Sequence, residues 1–162
     1  MVIPAVETDD GITVGSDTTM YANRWRGFEN PFGDTWTNLD GIVLKRYSAN
    51  AESKVYTTTD SSKFGSGPSV MTVAGIEVAA DGYTKEFDLG ETGEIIPQLV
   101  GGSESTYKCD YHWCNTSSTD TRTLGVGGGA NFGSRAGLGA FYSGDAVGGA
   151  ASSVGFRSVI RA

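Results

Sequence analysis

Glycine recurs eleven times between Gly125 and Gly155, at Gly125, Gly127, Gly128, Gly129, Gly133, Gly137, Gly139, Gly144, Gly148, Gly149 and Gly155, set among small residues and a few aromatics. Glycine permits positive φ and close backbone approach, so this density calls for loops packed tightly on a strand or for chains packed on one another. A collagen triple helix is excluded, because the spacing is not every third residue. At the end of the chain Val154, Phe156, Ser158 and Ile160 alternate with Gly155, Arg157 and Val159, the pattern of a partly buried terminal strand.

The rest of the chain reads differently. Residues 1–20 mix Asp9, Asp10, Gly11, Gly15, Ser16 and Asp17 with scattered Val and Ile, as an extended lead-in or edge strand would. From residue 21 to 162 a single domain is expected. Trp25, Phe28, Phe32, Trp36 and Leu39 follow at spacings of 3, 4, 4 and 3, which predicts one aromatic helical face. Pro31 divides it into two short helices or a kinked one, and Asp40-Gly41 ends it. Ile42 to Tyr47, Lys54 to Thr58, Val70 to Val73, Ile76 to Ala79 and Tyr83 to Leu89 are short, rich in β-branched and aromatic residues and separated by Ser, Asp and Gly, so they predict strands of a meander.

Bulk properties narrow the function. With 162 residues, 38% of them hydrophobic and 19% charged, the chain is long enough for one real core. The net charge of −7 is spread along it and repels phosphate backbones and anionic lipid, which argues against a nucleic-acid partner. No apolar run approaches the roughly 18 residues of a membrane span, and the start MVIPAVETDD has neither the basic nor the apolar region of a signal peptide, so membrane insertion is not expected. Two cysteines, Cys109 and Cys114, cannot build a disulfide-dense scaffold.

Several segments resemble a known family. Gly33-Asp34-Thr35-Trp36, inside FENPFGDTWTNLDGI, is similar to the Gly-Asn-Val-Trp segment of the formylglycine-generating, sulfatase-modifying branch of C-type-lectin-like folds. Gly127-Gly128, Arg135-Ala136-Gly137 and the closing Gly155-Phe156-Arg157-Ser158-Val159-Ile160 resemble, in order and separation, that family's Gly-Gly-Ser-Trp segment and its final Gly-Phe-Arg strand. YANRWRGFENPFGDTWTNLDGI and GGSESTYKCDYHW look like phage tail-fibre and head-fibre tips that use the same fold. The matching segments cover about half of the chain. The resemblance implies an α+β, C-type-lectin-like fold, with a short aromatic helix or helices packed on twisted antiparallel sheets and long Gly-rich loops.

It also implies a bacteriophage virion protein, assembled in the host cytoplasm, that displays a face for a host-surface polysaccharide or protein. Other virion subunits, in a homotrimer of the kind common in fibre tips, are the other partners it implies. An architectural capsid-decoration or tail-assembly subunit is the alternative. The sequence departs from the family where Gly129 replaces its serine and Asn131 or Phe132 stands near its tryptophan, and Glu29-Asn30-Pro31 is not the order of a calcium-binding lectin loop. No cofactor is expected.

The candidate ligand-contacting residues are Tyr107, Tyr111, His112, Trp113, Asn131, Phe132, Phe141, Tyr142 and Asp145, because they lie in polar, Gly-rich segments and combine flat rings with hydrogen-bonding groups. The alternative reading has about half of these rings filling the core. Cys109 and Cys114 form a candidate small-loop disulfide or two partly buried thiols. An oxidase-like copper site on this pair, with His112 as third donor, is the enzymatic alternative, but the family's active cysteines lie in the later segment, which here runs from Gly127 to Ser158 without one. His112 is the sole histidine and has no distinguishable Ser and Asp partners, and Gly127-Gly128-Gly129 lacks the Lys of a phosphate loop, so no catalytic residue is assigned. The acidic stretch Glu77, Asp81, Glu86, Asp88, Glu91 and Glu94 reads as a solvated sheet face.

Overall fold

The computed structural model describes residues 35–129 and 131–149, together with Gly33, Val154–Gly155 and the backbone of five short strands nearer the start. Those five are β1 (Glu7–Thr8), β2 (Ile12–Val14), β3 (Thr18–Met20), β4 (Asn23–Trp25) and β5 (Phe28–Glu29). β1, β4 and β5 form one small antiparallel sheet, and β2 pairs with β3. The main sheet contains β6 (Trp36–Arg46), β7 (Ser53–Thr57), β8 (Thr72–Glu77), β9 (Gly82–Leu89), β10 (Ile95–Val100), β11 (Tyr111–Cys114), β12 (Thr121–Gly127), β13 (Gly137–Ser143) and β14 (Val154–Gly155).

Among the described residues there is no α-helix, only short 3₁₀ turns such as Pro68–Val70 and Gly133–Arg135. The expected α+β, C-type-lectin-like architecture is therefore wrong: the protein is mostly β. The helical spacing from Trp25 to Leu39 spans separate strands, with Trp25 in β4, Phe28 in β5, and Trp36 and Leu39 in β6. Pro31 and Phe32 lie outside the described residues. A period of 3.6 read across chain reversals has no helix behind it. Two strands, β12 and β13, nevertheless run through the Gly-rich third, with turns between and after them.

Main-sheet strands follow the order β10-β9-β11-β13-β12-β6-β7-β8, with β14 added beside β6. Pairing is antiparallel except between β11 and β13 and between β14 and β6. The two ends of the order come back together. The Val78 N–H donates to the Pro97 carbonyl at 3.0 Å, and the Gln98 side chain donates to the Ile76 carbonyl, so β8 and β10 meet at a seam and the sheet is a nearly closed barrel. Near closure removes most of the unpaired backbone of an open sheet.

Strand alternation fills the barrel. Leu44, Val55, Ile96, Leu124 and Phe141 point inward and pack together, with Ile42, Ala74 and Val126 against them. On β12 the inward Leu124 and Val126 flank an outward Gly125. β6 is interrupted midway: Thr123 pairs with Val43 but Leu124 pairs with Leu39, leaving Asp40, Gly41 and Ile42 as a bulge. Gly41 has φ of 78°, and a Cβ there would meet the Thr58 carbonyl at 2.6 Å. The Asp-Gly pair that looks like a helix stop is this bulge.

No helix among the described residues is long and apolar enough to cross a membrane.

Candidate functional site

Rings from several strands gather on the outer face of the barrel. Outward positions on β9, β11, β13 and β6 supply Tyr83, Tyr111, Trp113, Tyr142 and Trp36, and the loop between β12 and β13 lays Phe132 over them. Trp36 and Tyr142 stack with centroids 5.0 Å apart, although β12 runs between their strands. Gly125 makes this feasible. A Cβ on Gly125 would lie 3.5 Å from the Tyr142 ring and 3.6 Å from the Trp36 ring, so the rings close over a strand that has no side chain between them.

From Trp36 the contacts run to Trp113 and Phe132, from Trp113 to Tyr111 at 4.3 Å, and from Tyr111 to Tyr83 at 4.9 Å. Edge-on and offset geometries of this kind add about 0.5–1.5 kcal/mol per pair beyond burial. Trp36, at 3% exposure, is the sealed end of the chain of rings. Tyr111 and Tyr83 are only half-buried and form its open end.

Polar groups surround that open end. The exposed Arg135 guanidinium sits 5.0 Å from the Tyr111 ring centre. Ser134 donates to Glu104 at 2.9 Å and lies 3.4 Å from the Tyr83 hydroxyl. At the other end the Tyr142 hydroxyl donates to Asp145 at 3.1 Å; burial, and then the Asp145 carboxylate, raise its pKa.

The structure thus brings together Tyr111, Trp113, Phe132, Tyr142 and Asp145 from the sequence candidates, with Asn131 exposed in the covering loop. Tyr107 stands apart, largely exposed with Lys85 over its ring. His112 and Phe141 are not on this face. Both are buried inside the barrel, because each neighbours an outward ring in its strand and the alternation turns it inward. Tyr83, Arg135, Ser134 and Glu104 escaped the sequence reading. Arg135 shares the Gly-rich segment with Phe132, and Tyr83 precedes the buried Thr84, so its outward phase was the available signal.

Inside one end of the barrel lies a polar cluster. Glu77, His112, Arg46 and Ser143 are all buried, which corrects the reading of Glu77 as part of a solvated face. His112 Nδ1 faces the Ala80 carbonyl at 2.8 Å, and Nε2 faces Glu77 Oε1 at 2.9 Å. A carbonyl only accepts, so Nδ1 is the donor to Ala80. Ser143 also donates to Oε1. Arg46 donates to the carbonyls of Ala51 and Asn115 and places its remaining nitrogen 3.9 Å from Glu77 Oε2. Loops that follow β6 and β11 are thereby tied to β8, and the cluster plugs the barrel end.

Asp110 is a separate, half-buried acid. Its carboxylate lies over the backbone of Gly137 and Gly139, where Cβ atoms would approach within 2.7 and 2.5 Å, and it accepts from the Gly139 N–H at 3.2 Å. Burial raises its pKa against that hydrogen bond.

Cys109 and Cys114 are free thiols. Cys109 occupies a positive-φ position (60°) and turns its sulfur to the Thr106 carbonyl at 3.7 Å. The Cys114 thiol is pushed up to about 12, by burial first and then by the Glu77 and Asp81 carboxylates. Copper binding and nucleophilic chemistry both need the thiolate, which this setting disfavours. Among the described residues, no three His, Cys, Asp or Glu side chains are grouped so as to hold a metal ion.

Compared with protein-family models, curated proteins and solved structures, the chain matches none.

Proposed function

We propose that the chain is a binding module without chemistry of its own, which presents the open end of its aromatic face to a saccharide on a host surface. One observation carries the reading: the half-buried Tyr111 and Tyr83 rings are bordered by Arg135, Ser134 and Glu104. Flat rings offer a surface to the apolar C–H face of a pyranose, and the bordering guanidinium, hydroxyl and carboxylate can hydrogen-bond its equatorial hydroxyls. The rings reach this position already packed by Trp113 and Phe132, so little side-chain entropy remains to be lost on binding.

A phage virion setting is part of this proposal, and its support is the segment resemblance in the sequence. An architectural virion subunit is the second reading, favoured by the exposed Val73, Ile76, Leu89, Ile95 and Leu99 of β8, β9 and β10 on the far side of the barrel.

The test is calorimetric titration of the protein with purified surface polysaccharides of candidate hosts. Arg135→Ala should weaken binding by at least about tenfold with the melting temperature nearly unchanged, whereas Tyr111→Ala should weaken it as far and also lower the melting temperature, because it removes two ring contacts. Phe132→Ala is a poor probe, because it also removes packing from Trp36 and Trp113. Saccharide binding indifferent to both open-end variants overturns the proposed site, and no binding to any host polysaccharide overturns the saccharide reading.

A further inference from the structure

Two cations rest on rings at the open end of the aromatic face. The exposed Arg135 guanidinium lies 5.0 Å from the Tyr111 ring centre, and Lys85 Nζ lies 5.1 Å from that of Tyr107. The ion pairs formed among the described residues are Arg46–Glu77, Lys63–Asp60 and His112–Glu77, so neither of these cations is paired with a described carboxylate. In a chain with 19 acidic against 12 basic residues, two cations on one face without an acidic partner leave that face open to an anion from another molecule.

Strand geometry sets the two ring–cation pairs beside each other. Tyr111 pairs with Tyr83, and Lys85 lies two residues farther along β9, on the same outer face because only the buried Thr84 stands between them. Two residues of strand span about 7 Å. The turn after β10 brings Tyr107 to Lys85. The Gly102 N–H donates to the Tyr83 carbonyl at 3.0 Å, and a Cβ on Gly102 would lie 3.5 Å from the Tyr107 ring, so the ring rests over a residue that has no side chain. Tyr107 holds φ of 59°, a left-handed conformation that costs an aromatic residue free energy, and its ring stays 63% exposed. That strain gains no core packing; it sets a flat ring at the surface.

We propose that Lys85 and Tyr107 form a second subsite beside Arg135 and Tyr111, and that the ligand is an acidic saccharide whose uronate carboxylates meet the two cations. The inference rests on the saccharide reading above and adds the chemical class of the ligand and the extent of the site. A guanidinium lying on a ring keeps its N–H groups in one plane, with an edge free for the two oxygens of a carboxylate. An ammonium takes a second carboxylate as a point charge. Glu104, held by Ser134 next to Tyr83, repels a carboxylate there and accepts from a sugar hydroxyl instead. The net charge of −7 repels polyanions at long range, so contact with these two cations, and not steering, carries the preference.

Calorimetric titration tests it, with uronate-containing host surface polysaccharides each compared with its carboxyl-reduced, neutral form. The acidic form should bind at least about tenfold more tightly than the reduced one. Lys85→Gln and Arg135→Gln should each lower that ratio by about threefold or more, the double variant should bring it to about one, and Lys85→Arg should keep it. The ratio reads charge recognition, since lost packing weakens both forms together. Equal affinity for the two forms, or binding confined to neutral polysaccharides, overturns the acidic class and leaves the open end a saccharide site. A ratio unchanged in Lys85→Gln overturns the second subsite. No binding to any host polysaccharide overturns this proposal together with the saccharide reading on which it rests.

Discussion

The barrel carries apolar groups on two opposite outer surfaces, and they are finished differently. On the β11–β13–β12–β6 side the groups are rings, which cover one another and are roofed by Phe132. On the β8–β10 side they are aliphatic, and neighbours within the chain leave them open. The first surface is a small satellite core that stabilises the fold and exposes only its edge; the second contributes little to the fold and is free for contact with another molecule. Exposed apolar area is thus informative only after the contacts around it are known.

The comparison breaks most readily at Trp36. Trp36→Ala should cost about 3–5 kcal/mol in urea denaturation, because the ring is sealed among Trp113, Phe132 and Tyr142. Ile76→Ala, read at high dilution, should shift stability by no more than about 0.5 kcal/mol. Equal losses at the two sites would remove the distinction. Gly125→Leu should cost about 1–3 kcal/mol and weaken the near-ultraviolet circular dichroism of the rings, since a longer side chain must part Tyr142 from Trp36; an unchanged spectrum would show that the rings do not close over β12.

The smallest effect is a pH dependence beneath the aromatic face. The folded-state pKa of Asp110 is raised, so the folded chain keeps a proton that the unfolded chain has released. Stability present below the ordinary aspartate value is then lost as pH rises through the window up to the raised value. Urea midpoints measured from about pH 3 to about pH 7 should fall less steeply in Asp110→Asn than in the parent chain.

Part of this was legible in the sequence. Ile42 to Tyr47, Lys54 to Thr58 and Tyr83 to Leu89 fall largely on β6, β7 and β9, because a strand repeats every two residues and its pattern is complete within one segment. Tyr111, Trp113, Phe132 and Tyr142 share their polar, Gly-rich surroundings with His112 and Phe141, so those surroundings do not separate the outward rings from the inward ones. The spacing from Trp25 to Leu39 misleads because it crosses the reversal between β4 and β5, and the segments Val70 to Val73 and Ile76 to Ala79 are joined in part by one strand, β8, which continues through Ala74 and Gly75.

By itself, then, the sequence determined a chain with enough apolar residues for one core, an acidic surface, short strands where β-branched and aromatic residues alternate, and glycines where backbone must come close. Only the tertiary structure decided that His112 turns inward to Glu77 while its neighbours Tyr111 and Trp113 turn outward, that Gly125 is the gap over which two rings meet, and that β8 and β10 close a barrel. The reason is physical. Which face of a strand is buried depends on the strands beside it, and the partners here, such as Glu77 and His112 or Trp36 and Tyr142, stand far apart in the chain and meet only once the sheet has assembled.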